Sequence, residues 1–474
     1  MLAAPPCGRQ AALARWDSAA EVARRVAGYG GGLLECARVG SRGDKATAVL
    51  ASEAPAFKPR PIESVDDTGL SFPFLTDLAL KTVYFANSPT GHEVARRMAL
   101  PFVGVVERLL EALKRQQLVE VRSGSAVSAA TYEYALTQRG HEQALERLER
   151  CGYVGAAPVP LSLYWEAVQA QTVRQVVVTR EQLLRATAHM VLPERLLQRL
   201  GPAINSGRSV FLFGPPGNGK TAIAEAIARC LGGTIWVPQA VEYDGQVIKV
   251  FDPVCHEPVE PPEGQRRTGE PLDRRWVLCR RPAVIVGGEL TLAGLDLVYS
   301  ETHRYYEAPF QMKANGGLLL LDDFGRQLMS PRDLLNRWIV PLEKREDYLN
   351  LRTGQEITVP FDQLIIFSTN LEPRNLVDEA FLRRIRYKIE VPNPAPDEFE
   401  EIFQRACEAR GIAYDSTALD YIYTYYSRMG IEPRACHPRD LLEQVIDIAQ
   451  FLDVQPSLSL ELVAQACDSY FVRL

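Results

Sequence analysis

The stretch Gly214-Pro-Pro-Gly-Asn-Gly-Lys220-Thr221, directly after the apolar run Val210 to Phe213, limits this chain more than any other feature. It fits G-x-x-x-x-G-K-[ST], and each fixed position has a physical reason. Glycines let backbone N–H groups curl around an anion without Cβ clashes. The helix predicted over Ala222 to Cys230 turns its positive end toward the same point. Such a turn needs a strand before it and a helix after it, and the sequence supplies both. The spacing therefore predicts an α/β fold with a parallel sheet. Its phosphate cradle would be Gly214, Pro215, Pro216, Gly217, Asn218, Gly219, Lys220, Thr221 and Ala222.

Two later apolar runs extend the pattern. Leu318 to Leu321 is four leucines ending in Asp322 and Asp323, which suits a central strand buried on both faces with acids at its C-terminal end. Leu364 to Phe367 ends in Ser368-Thr369-Asn370, polar groups able to orient water. Asp378 to Ile385 brings Arg383 and Arg384 to a helix end before a strand at Arg386 to Val391. Cys436-His437-Pro438-Arg439-Asp440-Leu441 opens a helix in a separate C-terminal helical segment, with Pro438 suited to a first turn.

Taken together, these motifs resemble the AAA+ ATPases over roughly Leu161 to Leu474. The resemblance implies ATP and Mg2+ as cofactors, a Walker A motif at 214–221 and a Walker B at 318–323. By the same matching, Thr221 and Asp322 fall on the metal positions, Asp323 on the water-polarising acid and Asn370 on sensor 1. Arg384 (or Arg383) falls on the arginine finger and Arg439 on sensor 2 in the lid. It also implies a homo-oligomeric ring, commonly a hexamer, in which the finger completes a neighbour's site. Asn315-Gly316-Gly317 and a predicted hairpin at Tyr348 to Pro360, turning at Thr353-Gly354, resemble the MoxR-type and enhancer-activator branches. Two departures stand out. The Walker B run ends Asp-Asp where the family has Asp-Glu, and Val241 to Phe310 is longer than the family's usual link. Strands are predicted within that insertion at Trp276 to Leu278 and Ala283 to Val286. Tyr305, Tyr306 and Phe310 are either pore-loop aromatics or, as is commoner, core.

Upstream, Leu75, Leu78, Ala79 and Val83 recur at helical spacing, and Thr90 with Glu93 forms a capping box for Gly91 to Met98. A third helix is predicted over Phe102 to Gln116, followed by strands at Leu118 to Val121 and Tyr132 to Leu136, then a helix from Thr137 to Arg150. This order resembles a winged helix-turn-helix. The start of its third helix offers no Arg, Lys, Asn or Gln to a base edge. Phe74 to Pro160 carries ten Lys/Arg against nine Asp/Glu, and the whole chain has a net charge of −6. A ring ATPase that remodels a protein partner docked through this module is the preferred, chaperone-like role; the alternatives are a DNA-binding motor or switch using the module, and a nucleotide-gated scaffold with slow turnover, which the Asp-Asp ending allows.

The expected domains are a weakly structured lead-in (1–70, with one amphipathic helix at Leu13 to Val26), the winged-helix-like module (71–155) and linker helices (156–200). After these come the α/β ATPase domain (201–392, with its insertion at about 241–310) and a helical lid (393–474). Gly152 to Pro160 reads as a linker, and one helical segment is expected over Arg180 to Leu200, capped by Thr179 and Gln182. Nine cysteines without a CxxC pair read as reduced thiols. Cys255, His256 and Cys279 lack the second tight pair a zinc site needs. No apolar run approaches a membrane span and the first residues do not resemble a signal peptide, so a cytoplasmic protein is expected.

Overall fold

The computed structural model describes residues 57–122, 129–260, 272–376 and 382–471. The expected helix at 13–26, the turn of the wing and the start of the 378–385 helix lie outside these residues. The N-terminal module consists of helices α1 (Phe72–Ala86), α2 (Gly91–Met98) and α3 (Glu107–Arg115), the antiparallel pair β1 (Val119–Val121) and β2 (Tyr134–Leu136), and α4 (Gln138–Arg150). Thr90 and Glu93 close their capping box on α2. The third helix starts five residues later than expected. Gly104 takes φ +80°, and a Cβ there would lie 2.2 Å from the Glu63 carbonyl oxygen, so the turn before α3 is packed onto residues expected to be a loose lead-in. Ile62, Val65 and Leu70 are accordingly buried in the core of this module.

Gly152 to Pro160, expected as a linker, is packed into the fold. Ala157 and Val159 are fully buried, the Ala157 N–H donates to Met98 O, and Val159–Pro160 forms strand β3. The apolar side chains between its glycine and prolines carry it inward. Helices α5 (Leu161–Ala170), α6 (Arg180–Ala186) and α7 (Glu194–Asn205) follow, the last two being the expected single segment, broken at 187–193. Thr179 and Gln182 cap α6 as expected.

The central sheet has the order β16 (Tyr387–Glu390), β4 (Val210–Phe213), β15 (Leu364–Thr369), β12 (Leu318–Leu321), β9 (Ala283–Val286), with every pairing parallel. Leu318 and Leu320 face one core with α8 (Lys220–Leu231), while Leu319 and Leu321 face the other. This two-sided burial explains the unbroken leucine run. Strand β9 was expected inside the insertion. Its parallel register, Leu318↔Ala283 to Leu321↔Val286, instead makes it the edge strand of the central sheet. The insertion proper pairs β5 (Thr234–Pro238) with β8 (Trp276–Arg280). It also builds a second sheet of order β10 (Val298–Ser300), β11 (Tyr305–Glu307), β7 (Gln246–Lys249), β6 (Ala240–Tyr243), β3. Tyr306 is 2% exposed and Phe310 packs on the second core, so packing rather than a pore is where these aromatics go.

After β12 come α9 (Pro331–Arg337), α10 (Ile339–Lys344) and the hairpin β13 (Glu346–Asn350) with β14 (Glu356–Pro360). Among the described residues the lid is four helices, α11 (Pro396–Arg410), α12 (Ser416–Met429), α13 (His437–Phe451) and α14 (Leu460–Tyr470), around a core of their own. No helix of the described residues is long and apolar enough to cross a membrane.

Candidate active site

Strands β4, β12 and β15 are parallel neighbours in register, so Gly214, Asp322 and Asn370, which follow their last residues, meet at one edge. Gly214 has φ +142°, and a Cβ on it would stand 2.2 Å from the Val391 carbonyl oxygen, so no other residue fits. The loop then turns through Gly217 and Gly219, both at positive φ, into α8. Lys220 Nζ donates to Gly214 O (3.0 Å), Pro215 O (2.9 Å) and Asn370 Oδ1 (2.6 Å). Burial holds its pKa below the ordinary lysine value. The charges of Asp322 and Asp323 oppose that shift, and the charge of Arg434 adds to it.

Thr221 Oγ1 donates to Asp322 Oδ2 at 2.6 Å. A hydroxyl and a carboxylate in contact beside a lysine form an oxygen donor set of the kind a small divalent cation takes, and Mg2+ fits it. The backbone of Asp323 is left-handed (φ +47°), and its N–H donates to Asp322 Oδ1 (3.0 Å). Its carboxylate Oδ1 accepts from Asn370 Nδ2 (3.1 Å). Asn370 thus joins Lys220 to Asp323, and the two acids, the lysine and the asparagine form one hydrogen-bonded group. Thr369 Oγ1 donates to Phe324 O (2.7 Å), fixing the turns after β12 and β15 to each other.

The side chain of Asn218 points away from this group, toward the lid. Pro215, Pro216 and Ala222 complete the loop and the first turn of α8. Arg384 Nε is paired with Glu343 Oε1 (2.7 Å), and Arg383 follows the segment outside the described residues. Arg439 is paired with its neighbour Asp440 (2.9 Å) and its side chain is 64% exposed. Arg434, not singled out by any motif, is the lid arginine whose charge reaches Lys220, and its Cδ lies 3.7 Å from where a Cβ on Gly217 would be. Two arginines in Glu-Pro-Arg434 and His-Pro-Arg439 are alike in sequence, and only the path of the chain before α13 separates them.

Asn315 explains the Asn-Gly-Gly before β12. Its amide donates to Tyr164 Oη (2.8 Å) and Pro360 O (2.9 Å) and accepts from Asp362 N (2.8 Å), while a Cβ on Gly317 would strike Pro282 O. His256 has both ring nitrogens engaged by backbone, at Asp252 N and Lys313 O. Among the described residues no group of three His, Cys, Asp or Glu side chains could hold a metal ion.

A family model described as "Domain of unknown function (DUF8689)" matches residues 395–469, the lid. No curated protein sequence matches the chain. Among solved structures, NtrX from Brucella abortus is 16% identical over 61% of this chain, with a TM-score of 0.37. This chain spans 58% of the NtrX chain. NtrX in complex with ADP is 17% identical over 69% of this chain and 65% of its own, with a TM-score of 0.35. A lysine-to-arginine mutant of Thermotoga maritima RuvB is 14% identical over 59% of this chain and 69% of its own, with a TM-score of 0.34.

Proposed function

We propose that this chain is a magnesium-dependent ATP hydrolase that works as a ring and remodels a protein partner. The observation that carries the reading is the Thr221–Asp322 contact of 2.6 Å beside Lys220, at the shared edge of three parallel strands. Backbone N–H groups of 214–221 would hold the β-phosphate, and Lys220 would neutralise the β- and γ-phosphates. Thr221 and Asp322 would hold magnesium, which when bound supplies charge stabilisation at the phosphate oxygens. Asp323 would take a proton from the attacking water, and Asn370 would orient that water against the γ-phosphate. Arg384, and Arg383 beside it, would leave the first protomer's surface to complete the site of the next subunit. Arg434 and Arg439 are the lid cations available to the phosphates. The choice of ATP rests on the family resemblance.

A protein rather than DNA as the load is supported by the start of α3. Val103, just before it, is 74% exposed, and the exposed face of the helix mixes Glu111 with Arg108, Lys114 and Arg115 rather than forming a uniformly basic stripe. The test is phosphate release by the purified chain with and without magnesium, alongside the Lys220→Ala variant. Magnesium-dependent turnover that the variant loses is expected. No turnover and no binding of ATP would overturn the reading. Sizing the protein with and without ATP tests the ring, and salt-dependent binding of duplex DNA would turn the load toward nucleic acid.

A further inference from the structure

In G-x-x-x-x-G-K-[ST] the residue before the last glycine is unspecified, because the phosphate is held by backbone. Here that residue is Asn218, and its side chain is fully employed. It is 5% exposed. Its Nδ2 donates to Pro392 O (3.1 Å) and Asn393 Oδ1 (2.8 Å), at the exit from β16, where the chain crosses into the lid. Its Oδ1 accepts from Ala435 N (3.1 Å), in the lid just before α13. Next to it, Gly217 O accepts from Cys436 N (2.9 Å), and a Cβ on Gly217 would meet the Cys436 sulfur at 2.6 Å. Asn393 Nδ2 donates to Glu432 Oε2 (2.7 Å), which closes the ring of contacts.

From these contacts we infer that Asn218 is a positioning residue that couples the phosphate loop to the lid, so that what the loop binds sets where the lid sits. Covalently the lid meets the sheet only through 391–395. A hinge of that kind leaves the lid's angle unspecified unless a second tether fixes it. Arg405, which donates to Ala188 O (3.0 Å) and Met190 O (3.3 Å), and the Gly217–Cys436 bond hold the lid at single points, whereas Asn218 holds the hinge with its donor and the lid with its acceptor through one amide. Any turning of the 214–219 backbone around an anion moves the amide, and the 432–436 segment moves with it. That segment carries Arg434, so the tether also decides whether this cation stands near Lys220.

The inference rests on the nucleotide reading above, and hydrogen exchange on the full chain separates the two. In the native protein, ADP with magnesium is expected to slow exchange in both the 214–221 and the 432–440 peptides. In Asn218→Ala the loop peptide should still be protected, because its cradle is backbone. Protection of the lid peptide should fall by about tenfold, the equivalent of one net hydrogen bond. Asn393→Ala, which removes one of the two hinge acceptors, should give the same split in smaller measure and serves if Asn218→Ala does not fold. A merely structural asparagine would lower the melting temperature without separating the two peptides. Protection that reaches 432–440 undiminished in both variants overturns the coupling alone. No protection at 214–221 in the native chain overturns the nucleotide reading and the coupling with it.

Discussion

Replacing Asp323 by glutamate should impair this protein. Asp323 stands at φ +47°, a left-handed backbone. That conformation costs L-residues about 1–2 kcal/mol, and Asp and Asn escape part of the cost because a short polar side chain bonds locally. The local bonds are present, with the Asp323 N–H on Asp322 Oδ1 at 3.0 Å and its carboxylate accepting from Asn370 at 3.1 Å. Asp323→Glu forfeits the conformational tolerance, about 1 kcal/mol, and carries the carboxylate one methylene past Asn370, costing about 1 kcal/mol more. A loss of about 2 kcal/mol lowers the melting temperature by roughly 4–8 °C in a domain of this size. The displaced carboxylate should also cut turnover by at least about tenfold, since misplacing a reacting group is costly. The assay is phosphate release at saturating ATP together with a thermal melt. Equal or faster turnover with an unchanged melt would refute the reasoning.

Three other perturbations follow from the contacts. Arg434→Ala should weaken ATP binding by about tenfold, the worth of one charge-assisted contact, while Arg439→Ala, whose partner is Asp440, should change it less than about twofold. Equilibrium binding of a fluorescent ATP analogue decides, and the reverse order would return the lid role to Arg439. His437 is 4% exposed, and burial, aided by the Arg434 charge, takes its pKa down from 6.5 to about 4. Its neutral Nδ1 accepts from Tyr426 Oη at 2.9 Å. Because the folded value is the lower one, the unfolded chain binds the extra proton. Stability is therefore full above about pH 6.5 and falls by about 3 kcal/mol by pH 4, a slope that denaturant melts of His437→Gln should lack. Arg275→Met should cost about 3–5 kcal/mol, because it leaves Asp273 buried without its partner, and limited proteolysis should then release the N-terminal module first.

How much of this was legible depended on the range of the interactions. The glycine-rich loop between strand and helix, the leucine strand and the capping boxes at Thr90 and Thr179 are local patterns, and they form where the sequence predicts them. Apart from the break at 187–193, which is local and ends at Pro193, the misreadings involve a partner far along the chain. Gly104 breaks the third helix because of Glu63, and Ala157 turns the linker inward by bonding to Met98. The strand expected within the insertion at Ala283–Val286 is present, and its parallel pairing with Leu318–Leu321, a partner more than thirty residues on, puts it in the central sheet instead.

Arg275 shows what those distant pairings achieve together. It is 1% exposed, and its guanidinium pairs with Asp273 while donating to Thr68 O (2.8 Å) and Pro158 O (3.0 Å). One side chain of the insertion thus holds the lead-in and the buried segment that precedes α5. Ala240 and Val247 of the second sheet belong to the same core as α1 to α3, and Tyr153 stacks edge-on to Tyr305 at 5.6 Å. The N-terminal module is therefore fused to the insertion rather than hung from it on a tether. A partner bound to that module would load the insertion directly. Through β8, whose Arg280 is separated from β9 only by Arg281 and Pro282, the load would reach the central sheet beside the strand that carries Asp322. The long stretch that set this chain apart in sequence is thus the piece that joins its N-terminal module to its candidate active site.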